Sequence, residues 1–356
     1  IDWRERSTRA LDSIGTWYHE ENELNAQLLS IARKSAQEQH RDPAVIDFSP
    51  LVPDDQLFPV EDYRKCVAQV YSQEGRSLLG YGDPQGYLPL REFIADRLQL
   101  HGVHTSREQI MITAGAQSAL SLIFSAFTSP GDKVAVESPT YSRAIGLAKL
   151  HGVELLPVEM DSEGMNLTQL RQVLAEEKPS LVYTIPNFHN PTGITTSQTH
   201  REALLRTAEE YEVPIVEDGF EEEMKYFGKA VLPIKSMDRR GIVLYVGTFS
   251  KVLFPGVRVG WIAGDRAALS QLTTLQKFSH LAGSSVEQAA LNLYCRKGFY
   301  ENHIKRMHRV YRRRMQTALD SLSEQLEGAP VYWTQPAGGY TLWLHMRDEN
   351  SQETEV

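Results

Sequence analysis

The sequence predicts an α/β fold, a mostly parallel sheet flanked by helices, and two observations carry that prediction. Between Ile110 and Ala263, short apolar runs rich in β-branched residues alternate with longer amphipathic segments, the pattern of strand–helix–strand units. The 356 residues also exceed the size at which one apolar core keeps growing, so more than one domain is expected.

The elements follow in order. Residues 1–45 are polar, with Trp3, Trp17, Leu24, Leu28, Leu29 and Ile31 as apolar anchors. Leu24, Leu28 and Ile31 have helical spacing, which suits either an N-terminal arm on the main body or the tail of an upstream linker. Pro50, Pro53 and Pro59 mark a loop, a helix is predicted over 60–72, and two glycine turns lie between Leu78 and Gly86. Over 89–100, Leu90, Phe93, Ile94 and Leu98 share one helix face. Strands are predicted over 110–113, 133–137, 154–158, 181–185, 214–217, 242–246 and 259–263, and helices over 116–127, 141–150, 167–175 and 197–211. The tail Asp348–Val356 follows a strong strand run abruptly, and the chain opens at Ile1 without a methionine or signal-type segment; both features suggest an excised domain.

Charge and cysteine content exclude several classes. A net charge of −9, from 37 basic and 46 acidic residues, argues against a broad nucleic-acid-binding face. The cluster Arg309, Arg312, Arg313 and Arg314 reads as a solvated helix face. Cys66 and Cys295 make neither a disulfide framework nor a zinc pattern and suit a reducing cytoplasm. No apolar run reaches the roughly eighteen residues of a membrane span.

In open sheets of this kind ligands bind beyond the carboxyl ends of the strands, so the loops there are the place to look for chemistry. Thr113-Ala114-Gly115-Ala116-Gln117-Ser118 leads from a strand into a helix with small residues; free amides at that helix start suit an anion, and tight strand–helix packing is the plain alternative. After the next strand, Tyr141 either stacks on a planar ligand or fills the core. Asn190, in Asn190-Pro191-Thr192-Gly193, offers a neutral donor, and His189 before it has no carboxylate partner nearby in sequence and reads as structural. Asp218 ends a buried strand and wants a cationic partner, which a protonated pyridine nitrogen would be. Glu221, Glu222 and Glu223, which follow, read as a solvated face. In the fifth loop, a strand expected to stop at Gly247 leads to Thr248, Ser250 and Lys251, with Arg258 seven residues on. A half-buried lysine with a lowered pKa suits imine chemistry with an aldehyde, and Ser250 with Arg258 suits a phosphate; a surface lysine in a turn is the plain alternative.

Asn190-Pro191-Thr192-Gly193, Asp218 and Ser250-Lys251 with Arg258 together resemble the fold type I pyridoxal-phosphate proteins, the aspartate-aminotransferase superfamily, over residues 46–344. The resemblance implies a large domain over 76–300 that binds pyridoxal 5′-phosphate. It further implies a smaller α/β domain made of 46–75 and the incomplete 301–356, with 1–45 as arm or linker. It implies that Lys251 forms the internal aldimine, Asp218 pairs with the ring nitrogen, Asn190 bonds the phenolic oxygen and Tyr141 stacks on the ring. It assigns the phosphate to Gly115, Ala116, Gln117, Ser250 and Arg258 with Thr248 close by. Tyr81 would reach the phosphate from the neighbouring subunit, which implies a homodimer.

Tyr81-Gly82-Asp83-Pro84-Gln85-Gly86, Gly247-Thr248-Phe249-Ser250-Lys251, Phe254-Pro255-Gly256, His303-Ile304-Lys305-Arg306-Met307 and Tyr311-Arg312-Arg313-Arg314 more narrowly resemble the MocR branch of GntR regulators. There an aminotransferase-like domain senses an amino acid through an external aldimine, and an upstream winged helix contacts DNA. Two-aminoadipate-type aminotransferases share most of these motifs, so an active aminotransferase is the alternative, and a cofactor-free dimerisation module a third reading. Two departures favour sensing: Phe220 stands where the superfamily commonly has a tyrosine that contacts the phenolic oxygen, and the chain ends before the segment with the substrate-carboxylate arginine, for which Arg143 is the substitute considered.

Overall fold

The computed structural model describes Phe48 and residues 51–346. The predicted N-terminal arm over 1–45 and the tail beyond 346 lie outside the described residues. The chain runs α1 (Val60–Leu78), α2 (Leu88–Leu100), β1 (Ile110–Thr113), α3 (Ala116–Phe127), β2 (Lys133–Ser138), α4 (Ser142–Leu150), β3 (Glu154–Asp161), β4 (Gly164–Met165), α5 (Leu167–Glu176) and β5 (Leu181–Thr184). It continues with α6 (Gln198–Glu210), β6 (Ile215–Asp218), α7 (Ile234–Met237), β7 (Val243–Thr248), β8 (Gly260–Ala263), α8 (Arg266–His280), α9 (Ser285–Arg296), α10 (Phe299–Gln325), β9 (Val331–Trp333) and β10 (Leu344–Met346).

Eight strands form one sheet in the order β1-β8-β7-β6-β5-β2-β3-β4, and β9 pairs with β10 in a separate hairpin. β7, β6, β5, β2 and β3 pair in parallel, whereas β8 runs antiparallel to both β7 and β1. β1 therefore points the same way as β7, and the carboxyl ends of β1, β2, β5, β6 and β7 share one edge of the sheet.

Alternate residues of each strand leave on opposite faces, so the apolar runs divide between two layers. Val134, Val136, Tyr183, Val216, Leu244 and Val246 pack against α3, α4 and α8, while Ala135, Val182, Ile215 and Val243 pack against α5 and α6. A further cluster joins α2, α9 and α10 around Tyr245, Phe249 and Val259. Short polar caps define the helix starts: Asn166 accepts the Thr168 and Gln169 amides at 3.0 Å, and Ser197 accepts that of His200 at 3.2 Å.

Three boundaries differ from expectation. β7 does not stop at Gly247 but runs to Thr248, because Gly247 and Thr248 pair with Trp261 and Gly260 of β8. A side chain at Gly247 would meet the Trp261 indole at 2.2 Å, so the strand continues through a glycine that the indole covers. α1 extends past residue 72 to Leu78, which is buried against Ala289 and Ala290 of α9. The apolar run 338–344 is largely not strand; β10 begins only at Leu344, and the preceding residues fold back over the strand ends. The helix α10 carries Arg309, Arg312, Arg313 and Arg314 on exposed positions, with Arg314 paired to Asp54 and Arg312 resting over the Phe227 ring.

Candidate functional site

The five loops predicted to carry chemistry all leave the shared carboxyl edge. Asp218 is the last residue of β6, between β5 and β7, and is 2% exposed. The Tyr183 hydroxyl of β5 donates to its Oδ2 at 2.9 Å, while Oδ1 is buried and makes no well-formed hydrogen bond among the described residues. Burial raises Asp218 to about 6, against the pull of the Tyr183 hydroxyl, the Phe220 amide and the Lys251 charge. A buried carboxylate oxygen without a partner is costly, so this geometry suits a cationic ligand group set against it.

Lys251 follows β7 and is half-buried. Its ammonium donates to the Leu51 carbonyl, and its own carbonyl accepts the Tyr340 hydroxyl at 2.7 Å. Burial lowers its pKa; Arg143 and Arg258 push the same way, and Glu221 and Asp218 oppose them. The lowered lysine expected at this strand end is therefore present, and its cause is desolvation with two neighbouring guanidinium groups.

Gly115 caps α3 at φ 91°, a backbone conformation that favours glycine. An added Cβ there would lie 3.1 Å from Arg258 Nη2, which donates to the Ala114 carbonyl at 2.7 Å. Gly260 brings β8 against the same turn: its Cβ would lie 2.7 Å from the Gly115 carbonyl carbon. The start of α3, with Ala116 and Gln117, and the Arg258 guanidinium thus share one small-residue cradle. The hydroxyls of Thr248 and Ser250, both buried, stand 3.1 Å apart at the end of β7. Such a set of amides, hydroxyls and a guanidinium suits a phosphate.

Tyr141 is half-buried at the start of α4, packs on the apolar layer and feels the charges of Arg143, Asp218 and Arg258. Burial pushes its phenol to about 12. Arg143, one residue into α4, donates to Gln117 Oε1 at 3.2 Å. Asn190 is half-buried in the loop after β5. Tyr81 is 91% exposed and is not gathered with the others. Phe220 is 7% exposed and packs in the apolar layer with Tyr183, Val216 and Val246.

One reading is corrected. Glu221, Glu222 and Glu223 are not a solvated face. Glu221 is 1% exposed; Glu222 accepts from Asn187 and lies 3.8 Å from His101; Glu223 is bridged by Arg97 and approached by His101 at 3.3 Å. Despite burial, His101 and Arg97 hold Glu223 down at about 2. Three glutamates can stand inside the protein because two have cationic neighbours there, and composition alone does not reveal such pairing. His189, with no carboxylate near it in sequence, has one near it in space: its Nε2 lies 3.8 Å from Glu137 Oε2, both buried. Burial lowers the imidazole to about 3, which leaves it neutral at physiological pH, and raises Glu137 to about 7. Sequence reasoning also missed Tyr183, Leu51 and Tyr340. Tyr183 carried a weak signal, a polar-tipped aromatic in a buried strand; Leu51 acts through its backbone and carries none.

The family description "Aminotransferase class I and II" matches residues 49–355. Aromatic-amino-acid aminotransferase 1 of Thermococcus litoralis is 36% identical over 305 residues, 84% of this chain and 73% of that protein. The HTH-type transcriptional regulator YdfD of Bacillus subtilis is 32% identical over 289 residues, 81% of this chain but 59% of that protein. The crystal structure of Pyrococcus horikoshii kynurenine aminotransferase in complex with PMP superposes with a TM-score of 0.83 at 32% identity, covering 90% of this chain and 80% of that one.

Proposed function

The chain belongs to the family of class I and II aminotransferases, and on that premise we propose that it is the amino-acid-sensing domain of a MocR-type transcription regulator. Its cofactor is pyridoxal 5′-phosphate, which when bound supplies an aldehyde carbon for amines and an electron-poor ring. The residues fit that group: Asp218 Oδ1 is a buried oxygen lacking a partner, and the cradle at Gly115 and Arg258 leaves room only where side chains are absent.

In this reading Lys251 binds the aldehyde carbon, and Asp218 faces the ring nitrogen. Asn190 orients the phenolic oxygen and Tyr141 covers the ring face. Gly115, Ala116, Gln117, Thr248, Ser250 and Arg258 hold the phosphate. Tyr81, exposed in one copy, reaches the phosphate of a second copy in a homodimer. A ligand amino acid would compete with Lys251 for that aldehyde carbon, and DNA would be contacted only through a separate domain.

The observation that carries cofactor binding is the juxtaposition of Lys251 with the unpartnered Asp218 oxygen. Sensing is favoured over turnover by Phe220, whose ring lies in the apolar layer and carries no hydroxyl to offer a ligand. The alternative, an aminotransferase, is supported by the enzymes among the relatives, of which the chain spans a larger share than of the regulator. Incubation with a panel of L- and D-amino acids separates the two. A sensor changes its visible spectrum with its ligand and forms no pyridoxamine phosphate; accumulation of that product with any member of the panel would establish turnover.

Arg143 is the candidate for the ligand carboxylate, since its guanidinium stands beside Gln117 and acts on the Lys251 nitrogen. Arg143→Ala is expected to weaken amino-acid binding about tenfold to a hundredfold, the worth of a charged hydrogen bond, with little effect on cofactor content. Spectral titration of the variant checks this; unchanged affinity would exclude Arg143 from the ligand site.

A further inference from the structure

We propose that residues 51–54 form a strap that Lys251 holds closed and that is let go when the lysine nitrogen bonds to a carbonyl carbon. The inference rests on the reading of Lys251 given above and gives that residue a second, conformational task.

The strap runs between two apolar clusters. Leu51 is half-buried and packs on the layer that also carries Tyr141, whereas Leu57, just beyond the strap, is buried in the cluster of Phe249, Val252 and Leu253. The stretch nearest the lysine has little of its own to hold it. Pro53 has no amide hydrogen and Val52 is 51% exposed. Among the described residues the backbone of 51–53 makes one hydrogen bond, that from the Lys251 ammonium to the Leu51 carbonyl.

The other end is tied firmly. Asp54 caps the single turn Asp55–Leu57, its carboxylate accepting the Gln56 amide at 3.0 Å and its carbonyl the Leu57 amide at 3.0 Å. Its own amide donates to the Tyr311 hydroxyl at 2.8 Å, and Arg314 donates to its carboxylate at 2.5 Å. Both partners lie on α10, and the Arg314 guanidinium also rests 5.2 Å from the centre of the Tyr311 ring. The run Tyr311-Arg312-Arg313-Arg314 thus serves as the foot of the strap. Tyr311 packs edge-on against Tyr340 with ring centres 4.6 Å apart, and the Tyr340 hydroxyl donates to the Lys251 carbonyl at 2.7 Å. A circuit results that runs from the strap through α10 and Tyr340 to Lys251 and back to the strap. The Lys251 nitrogen is the link in it that condensation with an aldehyde can break.

An ammonium has three hydrogens to donate. When its nitrogen condenses with an aldehyde, the carbon–oxygen double bond breaks and a carbon–nitrogen double bond forms. Two of the hydrogens leave with the oxygen as water, and no electrons are gained or lost. The nitrogen keeps one hydrogen and is drawn to its new carbon, so the Leu51 carbonyl loses its donor. A carbonyl in that position regains a donor from water, which releases 51–53 toward solvent. The chain continues from Leu51 into residues 1–50, so the release is passed to the chain that precedes the strap.

Hydrogen exchange read by mass spectrometry tests this on the full chain, with and without pyridoxal phosphate. Loading is expected to speed exchange in peptides covering 51–58 by about fivefold, the worth of one hydrogen bond, while α1 exchanges as before. Cofactor-free Lys251→Ala is expected to show the same rise, and loading adds nothing to it. By reciprocity, a strap with a weakened foot opposes attachment less, so Arg314→Ala should bind the cofactor about twofold to fivefold more tightly. A residue that merely supported the site would weaken binding when removed. Exchange in 51–58 that loading leaves unchanged or slows, in protein carrying borohydride-fixed mass at Lys251, would overturn the proposal, as would weaker binding by folded Arg314→Ala. Absence of that mass in wild type would instead overturn the reading beneath it.

Discussion

Lys251→Ala is expected to abolish covalent retention of pyridoxal phosphate while leaving the fold intact. The covalent part follows from chemistry: the aldehyde needs an unprotonated amine, and Lys251 is the lysine at this strand end whose nitrogen is depressed by burial and by Arg143 and Arg258. Lys225, the other lysine among the described residues that burial lowers, pairs by backbone with Gly338, and its charge environment is Arg201 and Glu222 rather than Asp218. The structural part follows from what the side chain holds. Removing it deletes one hydrogen bond to the Leu51 carbonyl, worth about 1 kcal/mol net, and relieves the desolvation of an ammonium. The Tyr340 bond to the Lys251 carbonyl uses the backbone and survives. Borohydride reduction and mass mapping should find no label at residue 251, and thermal melting should move by no more than about 2–4 °C per kcal/mol lost. A label on another lysine would show the assignment to be wrong.

Much of this site was legible because its chemistry is written in residue types that strand ends seldom carry. A carboxylate closing the apolar run 214–217 and a lysine after 242–246 both violate the burial pattern around them, which is what drew attention to these two strand ends. Alternation placed the sheet, and the direction of β1 and β7 then put five loops on one edge. What stayed hidden depends on contacts across the sequence. Glu221, Glu222 and Glu223 looked solvated because Arg97 and His101, which neutralise two of them, lie more than a hundred residues earlier. The Glu137–His189 approach joins two strand ends in the same way. The end of β7 was misplaced because Gly247 weakens a strand in isolation, and only the Trp261 indole packed over it makes the glycine an asset. Gly338 and Gly339 let the chain turn back over Glu221 and Met224 instead of continuing a ladder.

Asp218→Asn is expected to act in opposite directions on cofactor binding and on the cofactor-free fold. In the proposed reading, Asp218 Oδ1 would face a protonated ring nitrogen in a buried setting, and asparagine would remove the charge that keeps that nitrogen protonated. Breaking a buried charged pair costs roughly 3 kcal/mol or more, about a hundredfold in affinity. Without the cofactor, the same carboxylate is a burden. Burial raises it from its ordinary 3.8 to about 6, so the folded chain binds more protons than the unfolded one between those values. Stability therefore falls as pH rises through that window, by an amount on the order of 3 kcal/mol for this group, and the loss is complete at neutral pH. Asparagine does not titrate, so cofactor-free Asp218→Asn should melt higher than cofactor-free wild type at pH 7, with the difference closing below about pH 4. The Tyr183 hydroxyl still finds an acceptor in the asparagine carbonyl, so the pair at 2.9 Å is not the source of either change. Melting curves across pH with and without pyridoxal phosphate measure both effects. A variant that binds cofactor as tightly as wild type would remove Asp218 from its role, and a variant without the neutral-pH gain would show that Oδ1 is not buried uncompensated in the cofactor-free protein.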